Sequence, residues 1–256
     1  MAEHKRILIT GAAAGIGRAT AQAFLDAGWF VGAFDVDEIG VRAWADAAGP
    51  ERACAGRLDV TDHDQWRSAI ARFESAAGGL DVLLNNAGVL VDGAFEAQDA
   101  EAHRRLVEVN VTGTMNGCHA ARAALTASGG RVINLSSASA LFGQPYLASY
   151  SASKFAVRGL TEALRVEWAP AGVQVCDVMP LFVRTAMVDK MTEVPALRRL
   201  GVQLTPDDVA RVIMRAATAR RPRLHYTVGF RTAALKQMLR FSPDRIAAVV
   251  NAAIGR

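Results

Sequence analysis

Three cysteines in 256 residues, Cys54, Cys118 and Cys176, are odd in number, far apart and without CxxC spacing. That argues against a disulfide framework and against a cysteine zinc site, and it leaves them as small core residues with no metal expected. No apolar run approaches the length needed to span a bilayer. The apolar stretch Ile7–Thr10, which follows the polar Met1–Arg6, is too short for the h-region of a signal peptide. A cytoplasmic protein is the expectation. Linkers, low-complexity tracts and internal repeats are also missing, so residues 1–256 read as one domain, and the basic residues lack any recognisable nucleic-acid motif.

About half of the residues are apolar and a fifth charged, the composition of a soluble globular chain. The net charge of +4 is unevenly spread. From Arg198 onward 12 Lys and Arg face 3 Asp, whereas residues 1–197 hold 17 basic against 22 acidic side chains. A basic segment at 231–256 suits a solvated helical face or subunit contact, and a membrane surface or an anionic substrate is the alternative.

Short apolar segments alternate with helical patterns. The strand candidates are Lys5–Thr10, Trp29–Asp35, Ala53–Asp59, Leu80–Asn85, Arg131–Ser136, Val173–Met179 and Arg223–Val228. Helical periodicity runs over Ile16–Ala27, Ile39–Ala48, His63–Ala76, Ala100–Thr126 and Tyr150–Trp168, then Ala186–Leu200, Pro206–Ala219 and Ala233–Ile254. Near-continuously apolar strands separated by helices predict an α/β doubly wound, Rossmann-type, mostly parallel seven-stranded sheet with helices on both faces. Ligands of such sheets bind beyond the carboxyl ends of the strands. Residues 181–204, with little strand signal, are expected to form a lid over that edge.

The first strand runs into Thr10-Gly11-Ala12-Ala13-Ala14-Gly15-Ile16-Gly17, a GxxxGxG turn that opens a helix. Glycines there let a pyrophosphate approach main-chain N–H groups at a helix N-terminus. Asp35 ends the second strand 18 residues after Gly17, near the separation expected of an acid that accepts hydrogen bonds from adenosine ribose hydroxyls. A carboxylate at that place repels the 2′-phosphate of NADP by about 4 kcal/mol per unit charge at 4 Å and an effective dielectric of 20, before relaxation. Neither Ala14 nor Val36 is basic, so NAD is expected.

With these, further motifs follow in order: Asp59-Val60, Asn85-Asn86-Ala87-Gly88, Asn110, Ser137 and Tyr150-Ser151-Ala152-Ser153-Lys154. Over almost its whole length the chain resembles the short-chain dehydrogenase/reductase family, with its glycine turn, NNAG element, serine and YxxxK pair. The resemblance implies contacts to the cofactor from Gly11, Ala14, Gly15, Ile16, Gly17, Asp35, Val36, Asp59, Val60, Asn86, Ala87, Gly88, Tyr150, Lys154, Pro180, Val183 and Thr185. It implies catalysis by Asn110, Ser137, Tyr150 and Lys154, and a dimer or tetramer. Two positions depart from it: Leu181 follows Pro180 where glycine is common, and Ala140 likewise replaces a glycine. An adjusted pocket wall is expected there.

Tyr150 and Lys154 lie four apart and share one helix face. The unperturbed phenol, with a pKa of about 10, is a poor proton carrier near neutrality, and an adjacent ammonium, with the positive nicotinamide ring of the oxidised cofactor nearby, is expected to lower it. Ser137 would hydrogen-bond the substrate oxygen, with Ser136 and Ser139 competing for that role. The resemblance gives Asn110 a water beside Lys154. By analogy the substrate space is lined by Ser137, Val89, Leu141, Phe142, Gln144, Tyr146, Phe182, Met187 and Met191, which favours a hydrophobic alcohol or ketone. The expected activity is NAD(H)-linked interconversion of a secondary alcohol and a carbonyl. The alternatives are a cofactor-sensing scaffold that has lost chemistry and a reductase held at a membrane surface by its basic end.

Overall fold

The computed structural model describes residues 5–191 and 193–241, together with Ala252. Seven strands form one sheet: β1 (Arg6–Thr10), β2 (Phe30–Asp35), β3 (Ala53–Arg57), β4 (Val82–Asn85), β5 (Arg131–Leu135), β6 (Gln174–Met179) and β7 (His225–Thr227). Their order is β3-β2-β1-β4-β5-β6-β7, and every pairing is parallel. The helices are α1 (Gly15–Asp26), α2 (Glu38–Ala48), α3 (His63–Ala77), α4 (Ala100–Val107), α5 (Gly113–Ser128), α6 (Ala148–Glu167), α7 (Ala186–Asp189), α8 (Pro195–Leu200), α9 (Pro206–Thr218) and α10 (Gly229–Phe241).

Alternate strand residues feed opposite faces, as the two-residue period of a strand requires. Ile7 and Ile9 pack with Phe24, Val41, Trp44, Val209 and Ile213 beneath α1, α2 and α9. Leu8 joins Phe34, Trp66, Phe73, Leu125 and Val132 beneath α3 and α5. Because both faces are covered, the strands read as unbroken apolar runs, which is why they were legible. All three cysteines are free, with Cys118 and Cys176 in the core.

The chain turns one way from β1 to β2 and β3, then returns to place β4 on the other side of β1. At this switch the loops after β1 and β4 diverge and leave a crevice at the carboxyl edge. Two expected helices differ in form. The stretch 100–126 is interrupted by a π turn, Glu108–Thr112, between α4 and α5. The stretch 186–200 is split into α7 and α8. The final helix starts earlier than expected, at Gly229, and the rest of the 233–254 pattern, with most of the basic 231–256 segment, lies outside the described residues. Among the described residues no helix is long and apolar enough to cross a membrane.

Candidate active site

The crevice widens into a cavity of about 370 Å³. Its floor on the β1 side is main chain. Gly11 and Gly15 have φ of +67° and +54°, a region costly for any residue with a Cβ. A Cβ at Gly17 would lie 2.1 Å from the Gly11 carbonyl oxygen, so the first turn of α1 tucks directly under the loop. Ala14, at the helix start, offers no side-chain cap, which leaves first-turn N–H groups open at the positive end of the helix. Such a cradle fits a dinucleotide pyrophosphate.

Asn86 locks the loop after β4 onto this turn. Its Nδ2 donates to the carbonyls of Thr10 (2.8 Å) and Gly11 (3.0 Å), while the Thr10 hydroxyl accepts from the N–H groups of Asn86 and Ala87, both at 3.1 Å. Asp35 is held at the mouth: its two carboxylate oxygens accept from the N–H groups of Ala13 and Asp37, each at 3.0 Å. Asp59 accepts from the Thr61 hydroxyl at 2.7 Å and faces Arg105 at 3.4 Å. Burial alone would raise its carboxyl, but the bonds from Thr61 and the Arg105 charge outweigh that and leave it below the ordinary value.

The helix α6 presents Tyr150 and Lys154 to the other half of the cavity. The Lys154 ammonium donates to the Leu135 carbonyl at the end of β5 (2.9 Å) and stands 5.4 Å from the Tyr150 ring centroid. Burial pulls its pKa down to about 8. In the protein alone, burial pushes the Tyr150 phenol up to about 12, with hydrogen bonding to Ser137 opposing the rise.

Ser137 follows β5 and accepts from the Ser139 N–H (3.1 Å) while its hydroxyl meets that of Ser139 at 3.2 Å. Ser136 turns instead toward the Lys154 carbonyl (3.5 Å). Asn110 occupies the π turn, whose extra residue rotates the side chain inward. Its Oδ1 accepts from the Val89 N–H (2.8 Å), and its Nδ2 donates to the Val89 carbonyl (2.9 Å) and the Ser153 hydroxyl (3.1 Å). The Asn110 side chain therefore braces the Gly88-Val89 loop against α6 and sits behind the cavity wall. Gly88 lies close against this pair: a Cβ there would be tight on Asn110 Oδ1, at 3.2 Å, and in ordinary contact with Lys154 Nζ, at 3.8 Å.

The cavity gathers Gly11, Ala14, Gly15, Ile16, Asp35, Val36, Asp59, Val60, Asn86, Ala87, Gly88, Val89, Ser137, Gln144, Tyr150, Lys154, Pro180, Phe182, Val183, Thr185, Met187 and Met191. Gly17 and Asn110 support it from behind. Leu141, Phe142 and Tyr146 are not among its lining residues: the 3-10 turn Ala138–Ala140 carries the chain away from the crevice, Phe142 is packed inside, and Tyr146 faces outward with a φ of 64°. Leu181 is accommodated without left-handed backbone, and its side chain joins the wall. Among the lining residues that sequence reasoning missed are Arg105, Leu147 and Val188. Arg105 carries no motif, and Leu147 and Val188 reach the cavity through packing with Phe182, Met191, Val194 and Ala196. Thr205 opens α9 with a capping box, and the adjacent Leu204 pairs with Val183, so residues 181–204 are closed at their base.

Comparison with known proteins agrees with this geometry. The profile of the family described as short chain dehydrogenase matches residues 5–195. The trans-4-hydroxycyclohexanecarboxylate dehydrogenase of Sinomonas cyclohexanicum is 37% identical over 191 residues, covering 72% of this chain and 74% of that protein. The crystal structure of 3-ketoacyl-(acyl-carrier-protein) reductase from Brucella melitensis complexed with NADH superposes with a TM-score of 0.82 at 28% identity, over 90% of this chain and 99% of that one. A short chain dehydrogenase from Burkholderia cenocepacia in complex with NADP gives 0.82 at 28% identity, over 96% and 97%.

Proposed function

From the premise that the chain belongs to the short-chain dehydrogenase family and is an oxidoreductase of CH–OH groups, we propose that it converts a hydrophobic secondary alcohol and its ketone with NAD, Tyr150 carrying the proton. The observation that carries this reading is the convergence of Tyr150, Lys154 and Ser137 on a cavity whose far floor is the glycine cradle. Bound there, the nicotinamide supplies the hydride acceptor and, when oxidised, a positive charge.

Ser137, already oriented by Ser139, holds the substrate oxygen beside the Tyr150 hydroxyl. Tyr150 takes the hydroxyl proton during oxidation and returns it during reduction. With its pKa pushed up to about 12 the phenol stays protonated near neutrality, and the positive charge of a bound oxidised nicotinamide would lower it and make phenolate available, each pKa unit being worth about 1.4 kcal/mol. Lys154, anchored on Leu135 and with its pKa pulled down to about 8, would hold the cofactor ribose and pass the proton on. Asn110 acts as a positioning residue for the Val89 loop and, through Ser153, for α6.

Discrimination against NADP rests on Asp35, which is pinned by two main-chain bonds and cannot swing away cheaply from a 2′-phosphate. A hydrophobic substrate is favoured by the wall of Leu147, Phe182, Val188 and Met191, while the Sinomonas relative is named for a ring alcohol that also carries a carboxylate. Residues 181–204 close over it as a lid. Tyr150→Phe is expected to lower turnover about 10³-fold while leaving NAD binding within about twofold. Turnover by that variant near the wild-type rate would remove Tyr150 from the proton path.

A further inference from the structure

The polar groups of the substrate cavity are almost all engaged by the protein itself. Of the buried side-chain atoms left without a partner among the described residues, Gln144 Oε1 alone borders the cavity. Gln144 is 2% exposed. Its main chain is fully engaged, its N–H donating to the Ser151 hydroxyl at 3.0 Å and its carbonyl accepting from the Leu147 N–H at 3.1 Å. The backbone is thereby fixed and the amide has little freedom to find solvent. Next to it the cavity wall is apolar, formed by Leu147, Phe182, Val188 and Met191.

A buried amide oxygen without a partner is costly, and buried polar atoms are seldom left so. An amide at the wall of a ligand cavity has its missing partner on the cavity side: water when the cavity is empty, a ligand group when it is filled. Ser137 and Tyr150 hold the reacting oxygen, so that group is a different one. Deepening the reading above, and resting on it, we propose that Gln144 recognises a second polar group of the substrate. The substrate class is then an apolar secondary alcohol carrying another hydroxyl or carbonyl, with the Gln144 amide as acceptor or donor. A purely hydrocarbon alcohol would bury that amide unpaired, and sites built to hydrogen-bond a substrate group reject analogues that lack it.

The test compares kcat/KM for cyclohexanol with that for cyclohexane-1,3-diol and cyclohexane-1,4-diol, in the wild-type protein and in Gln144→Met and Gln144→Leu. The wild type is expected to favour the better diol by about 10- to 100-fold, chiefly through KM, and both variants to reduce that ratio to within about threefold of unity. NAD titration of each variant reports that the fold and the cofactor side are intact. Oxidation of cyclohexanol by the wild type without a diol preference, or a ratio unchanged in the variants, overturns the role of Gln144 and leaves the alcohol dehydrogenase reading standing. Binding of NAD with no oxidation of any of the three alcohols counts against both.

Discussion

On the β1 side of the cavity the wall is main chain: two left-handed glycines, an uncapped helix start and the Thr10–Asn86 lock. On the opposite side it is side chain, with Leu147, Phe182, Val188, Met191 and one unpartnered amide oxygen, on α7 and the loops beside α6 and α7. The first surface grips what every dinucleotide shares, and its sterics leave almost no choice of residue. The second meets whichever substrate this chain uses, and many apolar residues would fill it equally well. Rigid common chemistry and variable specificity are thus segregated across one crevice, with Tyr150 and Lys154 at the seam.

Three substitutions probe that division, beginning with the most damaging. Gly17→Ala drives a methyl into the Gly11 carbonyl and the Asn86 amide, main chain and locked side chain that cannot yield without moving the cradle. Dinucleotide binding, followed by fluorescence titration, is expected to weaken by roughly 100-fold, with a lower Tm. A dissociation constant within threefold of wild type would mean that the cradle is softer than its geometry indicates.

Lys154→Met acts at the seam and separates stability from activity. A lysine whose pKa falls from 10.5 to about 8 in the fold is charged and buried at pH 7, at a cost relative to the unfolded chain. That cost is fully present below pH 8 and disappears as pH rises through the range 8 to 10.5. The cofactor-free variant should therefore gain stability relative to wild type at pH 7, and this advantage should shrink by about 3 kcal/mol by pH 10.5, while turnover is lost. Urea denaturation of both proteins at the two pH values measures it. An advantage independent of pH would show that Lys154 is not held as a buried cation.

Asp35→Ala is the mildest of the three. The ratio of NAD to NADP affinity is expected to fall about tenfold, since the raw repulsion is softened by solvent at the half-open mouth. Equal affinities in the unmutated protein would already contradict the assignment of NAD.

How much could be read in advance follows the same division. Gly11, Gly15, Gly17, Asp35, Asn86, Tyr150 and Lys154 were legible because their spacing along strand ends and one helix turn places them without knowledge of packing. Leu141 and Phe142 stand outside the cavity lining because a 3-10 turn, held by Ser137 and Ser139, diverts the chain, and no local pattern encodes that turn. Arg105 and Val188 have no local signature, and their approach to the cavity depends on how α4 and α7 dock.

By itself, the order of apolar strands, glycines and acid determined the parallel sheet, its switch point and the chemistry available there, because each follows from local spacing and main-chain sterics. Only the tertiary structure decided the electrostatics of Tyr150 and Lys154, the inward turn of Asn110 and the isolation of the Gln144 amide oxygen. These depend on desolvation and on partners distant in the chain, which no local pattern encodes.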